Sequence, residues 1–238
     1  MAIRAITFDF WCTLFRDANG RERQWIRTNA LAEAARVPTY AAEEALAQIA
    51  EAFMRTHIEE QRNLTPVDAV RLATEHLGVK MGPQQTKYLS EVFATAILHH
   101  SPVPIDGALD AVIAASTHLP LAVISDSGMS PGTSLRVLLE RHGFSPYFNV
   151  LTFSDEVGVS KPQAIMFERT AKALRVEPSE LLHIGDLEPT DIVGAQAVGA
   201  KAALFVADNN RHLDGTQADW VFNSWAEFAE ALPGLLDG

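Results

Sequence analysis

The segment LPLAVIS (119–125) is an almost continuous apolar run that ends in a serine. Helical sequence follows over residues 132–142, and Gly143 supplies a helix stop. Nearly continuous apolar strands that alternate with helices are typical of a parallel sheet covered on both faces. This segment therefore predicts the α/β class.

The same alternation extends in both directions from this segment. An earlier strand is predicted at 3–8, further strands at 149–154, 181–185, 202–207 and 220–222, and further helices at 162–174, 191–198 and 225–235. The prediction is a doubly wound parallel sheet with helices on both faces.

One long segment, residues 16–102, departs from this pattern. Its apolar residues recur at helical spacing and predict about four amphipathic helices. Thr65 before Pro66 is a favourable helix start. In doubly wound sheets the ligand lies at the carboxyl ends of the strands, so an insert that leaves after the first strand is expected to cover that site. We therefore predict a core domain (1–15 and 103–238) and an all-helical cap domain (16–102).

Composition excludes several classes of function. The chain has 238 residues, with 19 Lys+Arg against 30 Asp+Glu and a formal net charge of −11. We see no basic stripe, so no nucleic-acid partner is expected. No apolar run approaches the roughly 18 residues that cross a membrane. A single cysteine, Cys12, fits a reducing compartment, so we expect a cytoplasmic protein, as a monomer or homodimer.

Polar residues follow four of the predicted strands directly or in the next loop. They are Asp9, Thr13, Ser125, Lys161, Asp186 and Asp191. Because parallel strands bring their carboxyl ends to one edge, these side chains are expected to converge. Carboxylates can hold a hard divalent cation, a lysine and a hydroxyl can bind an anion, and one carboxylate can act as a nucleophile.

Four motifs occupy these strand ends in order. They are DFWCTL (9–14), VISD (123–126), SKP (160–162) and GDLEPTDIVGA (185–195). With these motifs the chain resembles the haloacid dehalogenase-like (HAD) hydrolase superfamily, over essentially its whole length. The resemblance implies a Rossmann-like core with a helical cap after the first motif.

The resemblance also implies a role for each catalytic residue. Asp9 corresponds to a carboxylate nucleophile that forms a covalent intermediate. Thr13 helps to fix the loop that shapes the site. Ser125 binds a phosphoryl oxygen or the substrate's carboxylate, and Lys161 neutralises the nucleophile and the developing charge.

A metal site and a substrate site are implied as well. Asp186, together with Asp191 directly or through water, corresponds to a Mg²⁺ site that includes Asp9 and the backbone carbonyl of Trp11. Such a cation reduces the repulsion between a carboxylate and a phosphate dianion. The substrate-binding residues expected on this basis are Trp11, Ser125, Asp126 and Lys161.

Trp11 is a departure from the phosphatase pattern of the family. Phosphatases carry a second aspartate there as general acid and base, which an indole cannot replace. The family's 2-haloacid dehalogenases carry an aromatic residue and need neither the proton nor the metal. The Asp186 region resembles the metal-binding form. A Mg²⁺-dependent phosphatase that acts on a small anionic metabolite is therefore favoured. Asp126 is a candidate for the acid that Trp11 does not supply. A metal-free dehalogenase and a weakly active binding or scaffold protein remain as alternatives.

The sequence leaves open the roles of several further residues. Cys12 stands where the family usually has a small residue such as glycine, and we interpret it as packed rather than nucleophilic. Phosphonate hydrolases of the superfamily use a cap lysine, and the cap's lysines are Lys80 and Lys87. The cap residues that could reach an anionic substrate are Trp25, Arg27, Arg55 and Arg62.

Overall fold

The computed structural model describes residues 2–58 and 60–237, so the terminal residues 1 and 238 of the predicted core lie outside it. The strands within this range are β1 (Ala5–Phe8), β2 (Phe15–Arg16), β3 (Val103–Pro104), β4 (Leu121–Ser125), β5 (Val150–Phe153), β6 (Leu181–Gly185), β7 (Lys201–Phe205) and β8 (Trp220–Phe222). The helices are α1 (Gly20–Ala35), α2 (Thr39–Ile58), α3 (Pro66–His76), α4 (Pro83–His99), α5 (Ala108–Ser116), α6 (Gly132–Arg141), α7 (Ser154–Val157), α8 (Ala164–Leu174), α9 (Val193–Ala197) and α10 (Trp225–Asp237).

The main sheet has six parallel strands in the order β5–β4–β1–β6–β7–β8. β1 lies between β4 and β6, and Phe8 at its end is paired with Val123 on one side and Ile184 on the other. The three strands therefore end at one level, and the residues that follow them meet at one edge. The predicted doubly wound α/β sheet is confirmed.

Both faces of the sheet are covered. One face packs a core that includes Phe8, Leu135 and Phe228, while the other packs Met166 and Phe167 of α8. β1, β4 and β6 consist of fully buried residues. This explains why their sequences are mostly apolar rather than alternating, with Thr7, Ser125 and His183 as buried polar exceptions.

The cap segment forms four helices, α1–α4, with an apolar core of their own that includes Leu31, Leu46 and Phe93. Helix α3 begins as expected at Thr65, whose hydroxyl accepts from the backbone N–H of Asp68 while the Asp68 carboxylate accepts from the Thr65 N–H. The antiparallel pair β2–β3 joins the chain entering and leaving the cap. The predicted domain boundaries fall within this pair.

Two elements differ from the sequence prediction for physical reasons. Helix α5 was not predicted, because its sequence ALDAVIAAS is apolar on nearly every side and shows little periodicity. The helix predicted at 191–198 begins with a wider π-type turn over Glu188–Ile192, in which the Asp191 carboxylate accepts from the backbone N–H of Leu187. Among the described helices, none combines the length and apolarity that crossing a bilayer requires.

Candidate active site

A cavity of about 360 Å³ lies between the carboxyl edge of the sheet and the cap. Its core side comes from the segments after β1, β4 and β6, as the sequence predicts. Its cap side comes from α1 and α2. The cavity is lined by side chains of the core and of the cap, which include Asp9, Trp11, Cys12, Asp17, Arg23, Arg27, Phe53, His57, Asp126, Lys161, Asp186, Asp191 and Arg211.

Lys161 joins two of the predicted carboxylates. Its Nζ donates to Asp9 Oδ1 at 2.6 Å, to Asp191 Oδ1 at 2.6 Å and to the Ile124 carbonyl at 3.1 Å. All three ammonium hydrogens are thus used, and the side chain is buried. Burial would lower the pKa of Lys161, but the adjacent carboxylates outweigh it and raise the pKa, so the lysine stays cationic.

Asp9 is placed directly after β1 and is buried. Burial raises its pKa to about 6, because the cost of removing the charge from water exceeds the stabilisation from Lys161. Lys161 contacts Oδ1, and Oδ2 has no hydrogen bond to the described residues. One oxygen is therefore available for attack on an electrophile in the cavity.

Asp191 differs from Asp9 in having both oxygens occupied. Oδ1 lies within hydrogen-bond distance of Lys161 Nζ and of His183 Nε2, and Oδ2 accepts from the Leu187 N–H at 2.9 Å. Burial would raise the pKa of Asp191, but Lys161 and His183 lower it below its usual range. Asp191 therefore serves as the fixed counter-charge of Lys161.

Gly185 permits this placement of Asp191. A Cβ at position 185 would lie 2.3 Å from Asp191 Cγ, closer than atoms can approach. The glycine in the sequence GD (185–186) thus lets the Asp191 carboxylate cross the end of β6.

Asp186 follows β6 and is buried beside the other carboxylates. Burial, together with the charges of Asp191 and Asp9, raises its pKa to about 8. Its Oδ2 accepts from Asn209 Nδ2 at 2.6 Å, and Oδ1 has no such donor among the described residues. Ionisation of both Asp9 and Asp186 is therefore unfavourable without a further cation, and a bound cation would stabilise the two carboxylates in their charged form.

The predicted magnesium ligands are only partly assembled. Within residues 2–58 and 60–237, no three Asp, Glu, His or Cys side chains converge closely enough to hold a metal ion. Lys161, His183 and the Leu187 N–H contact the two oxygens of Asp191, and ligation by Asp191, directly or through water, stays a prediction. The chemistry of Asp9 and Asp186 fits a hard cation with further ligands from backbone, water or substrate. Trp11 lines the cavity, and ligation by its carbonyl remains a prediction.

The two predicted hydroxyl residues lie beneath the surface of the cavity. Ser125 and Thr13 are completely buried, and neither is among the residues that line the cavity. The Ser125 hydroxyl reaches the carbonyl of Asp126 at 3.4 Å, and Thr13 Oγ1 has no hydrogen-bond partner among the described residues. Contact of Ser125 with substrate stays a prediction.

Asp126 is held between the core and the cap. Its Oδ1 accepts from the Lys161 backbone N–H at 3.1 Å, and its Oδ2 lies 3.7 Å from His57 Nε2. Burial raises the pKa of Asp126 to about 7, against the opposing effect of Lys161. Burial, reinforced by the positive charge of Lys161, lowers the pKa of His57 to about 4. The cost of desolvation thus has the largest effect on the pKa of both groups, although their side chains lie within ion-pair distance of each other.

His57 was missed by the sequence analysis. It lies four residues after Phe53 on α2, and the two rings stack with their centroids 5.8 Å apart. A histidine in register with the apolar stripe of an amphipathic helix was the available signal.

Four cap residues are predicted as candidates to reach an anionic substrate, and of these Arg27 lines the cavity. It is buried, and its Nε and Nη2 both donate to the Phe93 carbonyl. No carboxylate lies within ion-pair distance of Arg27 among the described residues. Trp25, Arg55 and Arg62 are exposed and do not line the cavity, and the same is true of the cap lysines Lys80 and Lys87.

Cys12 has a positive φ of 53°, a conformation that favours glycine. This explains why a small residue is expected at this position. Burial and the nearby charges of Asp186 and Asp208 raise the pKa of Cys12 to about 12. The thiol is therefore a poor nucleophile near neutral pH, in agreement with its interpretation as a packed residue.

The loop after β7 also contributes to the site and was not predicted. Asn209 donates to Asp186, and Arg211 lines the cavity while its Nε donates to Asn209 Oδ1 at 3.0 Å. The sequence of this loop lies outside the four motifs at 9–14, 123–126, 160–162 and 185–195.

Comparison with known proteins places the chain in a family. The family model for haloacid dehalogenase-like hydrolases matches residues 3–199. The chain belongs to the haloacid dehalogenase-like hydrolase family. It is 29% identical to the pyrimidine 5′-nucleotidase YjjG of Escherichia coli over 66% of this chain and 67% of that protein.

Solved structures support the same fold for this HAD-like hydrolase. A HAD phosphatase from Thermococcus onnurineus superposes with a TM-score of 0.72 at 20% identity, over 98% of this chain and 99% of that one. A 2-haloacid dehalogenase from Pseudomonas syringae gives a TM-score of 0.70 at 20% identity, over 99% and 98%. Since both reaction types occur on this fold, the choice between them depends on the side chains of the site.

Proposed function

We propose that this HAD-like hydrolase is a Mg²⁺-dependent phosphatase that acts on a small anionic phosphate ester through an aspartyl-phosphate at Asp9. The observation that carries the proposal is the burial of Asp9 and Asp186 close together, where burial raises the pKa of both and a further cation would stabilise both in the charged form. Lys161 is the cation that contacts this cluster, and Asp191 already shares it. A second, divalent cation would complete the charge balance.

The residues of the site have distinct parts in this reaction. Asp9 Oδ2 attacks the phosphorus atom, the ester P–O bond breaks, and the alcohol leaves. Water then attacks the phosphorus of the aspartyl-phosphate, which restores the Asp9 carboxylate and releases inorganic phosphate. Lys161 holds Asp9 in place and stabilises charge on the transferred group.

Asp9 and Asp186 are the side chains that would hold Mg²⁺, with Asp191 acting through water. When bound, Mg²⁺ would reduce the repulsion between the attacking carboxylate and the phosphate dianion and would polarise a phosphate oxygen. The Asp186 carboxylate is oriented for this role by Asn209.

Arg27 supports a substrate that carries a second anionic group. A buried guanidinium without a carboxylate partner in the described residues is stabilised when a ligand anion fills that place. Arg23, beside it, is already paired with Asp17 and two backbone carbonyls. We therefore assign the second anion of the substrate to Arg27.

The experiment is a phosphate-release assay with MgCl₂ on a panel of 5′-nucleotides, triose phosphates, glycerol 3-phosphate and 4-nitrophenyl phosphate. We expect turnover of at least one ester that is abolished by EDTA and restored by Mg²⁺. No phosphate release from any ester above the rate of the Asp9→Asn variant would contradict the proposal.

A metal-free dehalogenase is the second candidate. Trp11 favours it, since a halide leaving group needs no proton, and Lys161 already neutralises part of the charge of Asp9. Release of chloride from 2-chloropropionate that is unaffected by EDTA would establish this alternative. A weakly active binding protein is the third candidate, and it predicts that a metabolite of the panel raises the melting temperature without being hydrolysed.

A further inference from the structure

The proposed phosphatase reaction requires two proton transfers. The departing alkoxide must gain a proton, and the attacking water must later lose one. Trp11, two positions after the nucleophile, cannot supply either. Lys161 donates its three hydrogens to Asp9, Asp191 and a backbone carbonyl.

Most other titratable side chains that line the cavity are unsuited to this task. The pKa of Cys12 is raised to about 12 by burial. Asp17 is paired with Arg23. Asp186 accepts from Asn209 and belongs to the proposed metal site.

Asp126 and His57 remain, and their geometry is suitable. The Lys161 backbone N–H fixes Oδ1 of Asp126, which leaves Oδ2 directed toward His57 of the cap. The imidazole is itself fixed by stacking on Phe53, with an interplanar angle of 10°. Phe53 in turn packs on the loop after Asp126, where a Cβ at Gly128 would lie 2.6 Å from the Phe53 ring. The Asp126 carboxyl of the core and the His57 imidazole of the cap thus both line the cavity, and each is held by a contact of its own.

We propose that Asp126 is the acid and base of this site, and that His57, whose Nε2 lies 3.7 Å from Asp126 Oδ2, is a positioning residue that limits the movement of the Asp126 carboxyl beside the substrate. The inference rests on the proposed function. In the first step the Asp126 carboxyl gives its proton to the ester oxygen as the P–O bond breaks, so that the alcohol leaves neutral. In the second step the Asp126 carboxylate takes a proton from the water that attacks the aspartyl-phosphate, and the starting protonation is restored.

The protonation behaviour of the pair agrees with this geometry. Burial raises the pKa of Asp126 to about 7, near the value at which a group can both donate and accept a proton at neutral pH. Because burial lowers the pKa of His57 to about 4, the imidazole is neutral and does not force Asp126 to ionise.

The test compares two leaving groups in the full-length protein with MgCl₂. We measure kcat/KM for the fastest alkyl ester of the panel, whose alkoxide needs a proton, and for 4-nitrophenyl phosphate, whose phenolate does not. Asp126→Asn keeps the shape of the side chain and its acceptor oxygen for the Lys161 N–H. It should lower kcat/KM about 100-fold for the alkyl ester but only about threefold for the aryl ester. His57→Gln should lower the ratio of kcat/KM for the alkyl ester to kcat/KM for the aryl ester by about tenfold.

The matched controls are Asp110→Asn and His118→Gln, which alter exposed residues outside the cavity and should change neither rate. Equal losses on both esters in Asp126→Asn would overturn the acid–base role while leaving the phosphatase proposal intact. An unchanged ratio in His57→Gln would overturn the positioning role. If Asp126→Asn does not fold, as judged by its melting curve, Asp126→Ser is measured on the same two esters, and equal losses in it would overturn the acid–base role. Inactivity of the unaltered protein on every ester would instead overturn the proposed function, and this pair with it.

Discussion

Lys161 and Asp9 are 152 positions apart in the chain, yet Lys161 Nζ lies 2.6 Å from Asp9 Oδ1 and both side chains are buried. The same ammonium contacts Asp191 at the same distance. A single lysine in the segment after β5 thus links residues that follow β1 and β6. The contact also makes Lys161 important for the stability of the buried carboxylates.

Lys161→Met should destabilise the protein strongly. It leaves Asp9 and Asp191 buried without their cation, and breaking a buried ion pair by removing one partner costs about 3–5 kcal/mol. Urea denaturation at pH 7 measures the loss. The matched control is Lys201→Met, which breaks a largely exposed ion pair with Asp219 and should cost about 0–1 kcal/mol. Equal losses in the two variants would show that Lys161 is not the essential counter-charge.

Asp9→Asn should abolish turnover without unfolding the protein. The amide has no anionic oxygen to attack phosphorus, and loss of a nucleophile lowers kcat by about 10⁴-fold or more. The rate is measured on the fastest ester of the panel, and circular dichroism and the melting temperature report the fold. Asp110→Asn is the control for loss of an exposed carboxylate. More than a tenth of the original rate in Asp9→Asn would remove Asp9 as the nucleophile.

Much of the core could be predicted from the sequence because its strands are buried on both faces. Apolar runs such as 181–185 give an unambiguous pattern, and that strand has the bounds predicted for it. The convergence of Asp9, Lys161 and Asp191 followed from the rule that parallel strands end at one edge. Helix α5 could not be predicted in the same way, because nearly uniform apolar sequence has no periodicity.

The cap side of the site could not be predicted. His57 and Arg27 lie in the same cavity but come from different helices, and their meeting depends on how those helices pack over the core. Hydrophobic periodicity indicates which face of each helix is buried, but not which buried polar residue faces a cavity. The internal hydrogen bonds of Asp191 likewise depend on atomic positions rather than on spacing in the sequence.

Asp186→Asn should remove the response of the protein to Mg²⁺. A ligand that binds the folded state raises its stability in proportion to RT ln(1 + [L]/Kd), which is about 2.7 kcal/mol at 100 times Kd. The melting temperature of the unaltered protein should therefore rise by several degrees as MgCl₂ is added after EDTA treatment, and that of Asp186→Asn should not. Asp110→Asn should keep the response. A melting temperature of the unaltered protein that is independent of MgCl₂ would contradict the metal site, even if an ester is hydrolysed.

Arg27→Met should weaken binding of substrates that have a second anionic group. A hydrogen bond to a charged group contributes about 1.5–3 kcal/mol, which corresponds to an increase in KM of about 10- to 100-fold. 4-Nitrophenyl phosphate, which lacks a second anion, should show less than about a threefold change. Arg71→Met, on the exposed face of α3, is the control. Equal increases in KM for both kinds of ester would place the second anion elsewhere.

His57→Gln should reduce the loss of stability in acid. Burial lowers the pKa of His57 from its ordinary 6.5 to about 4, so as the pH falls the unfolded chain binds this proton first. The unaltered protein therefore loses stability between about pH 6.5 and pH 4, by up to roughly 3 kcal/mol, and no more from this group below pH 4. Asp126 acts in the opposite direction, since its pKa is raised to about 7, but it is present in both proteins. Urea denaturation at pH 7 and pH 4.5 gives the difference. His118→Gln should keep the slope of the unaltered protein, and an identical slope in His57→Gln would mean that His57 is not buried in its neutral form.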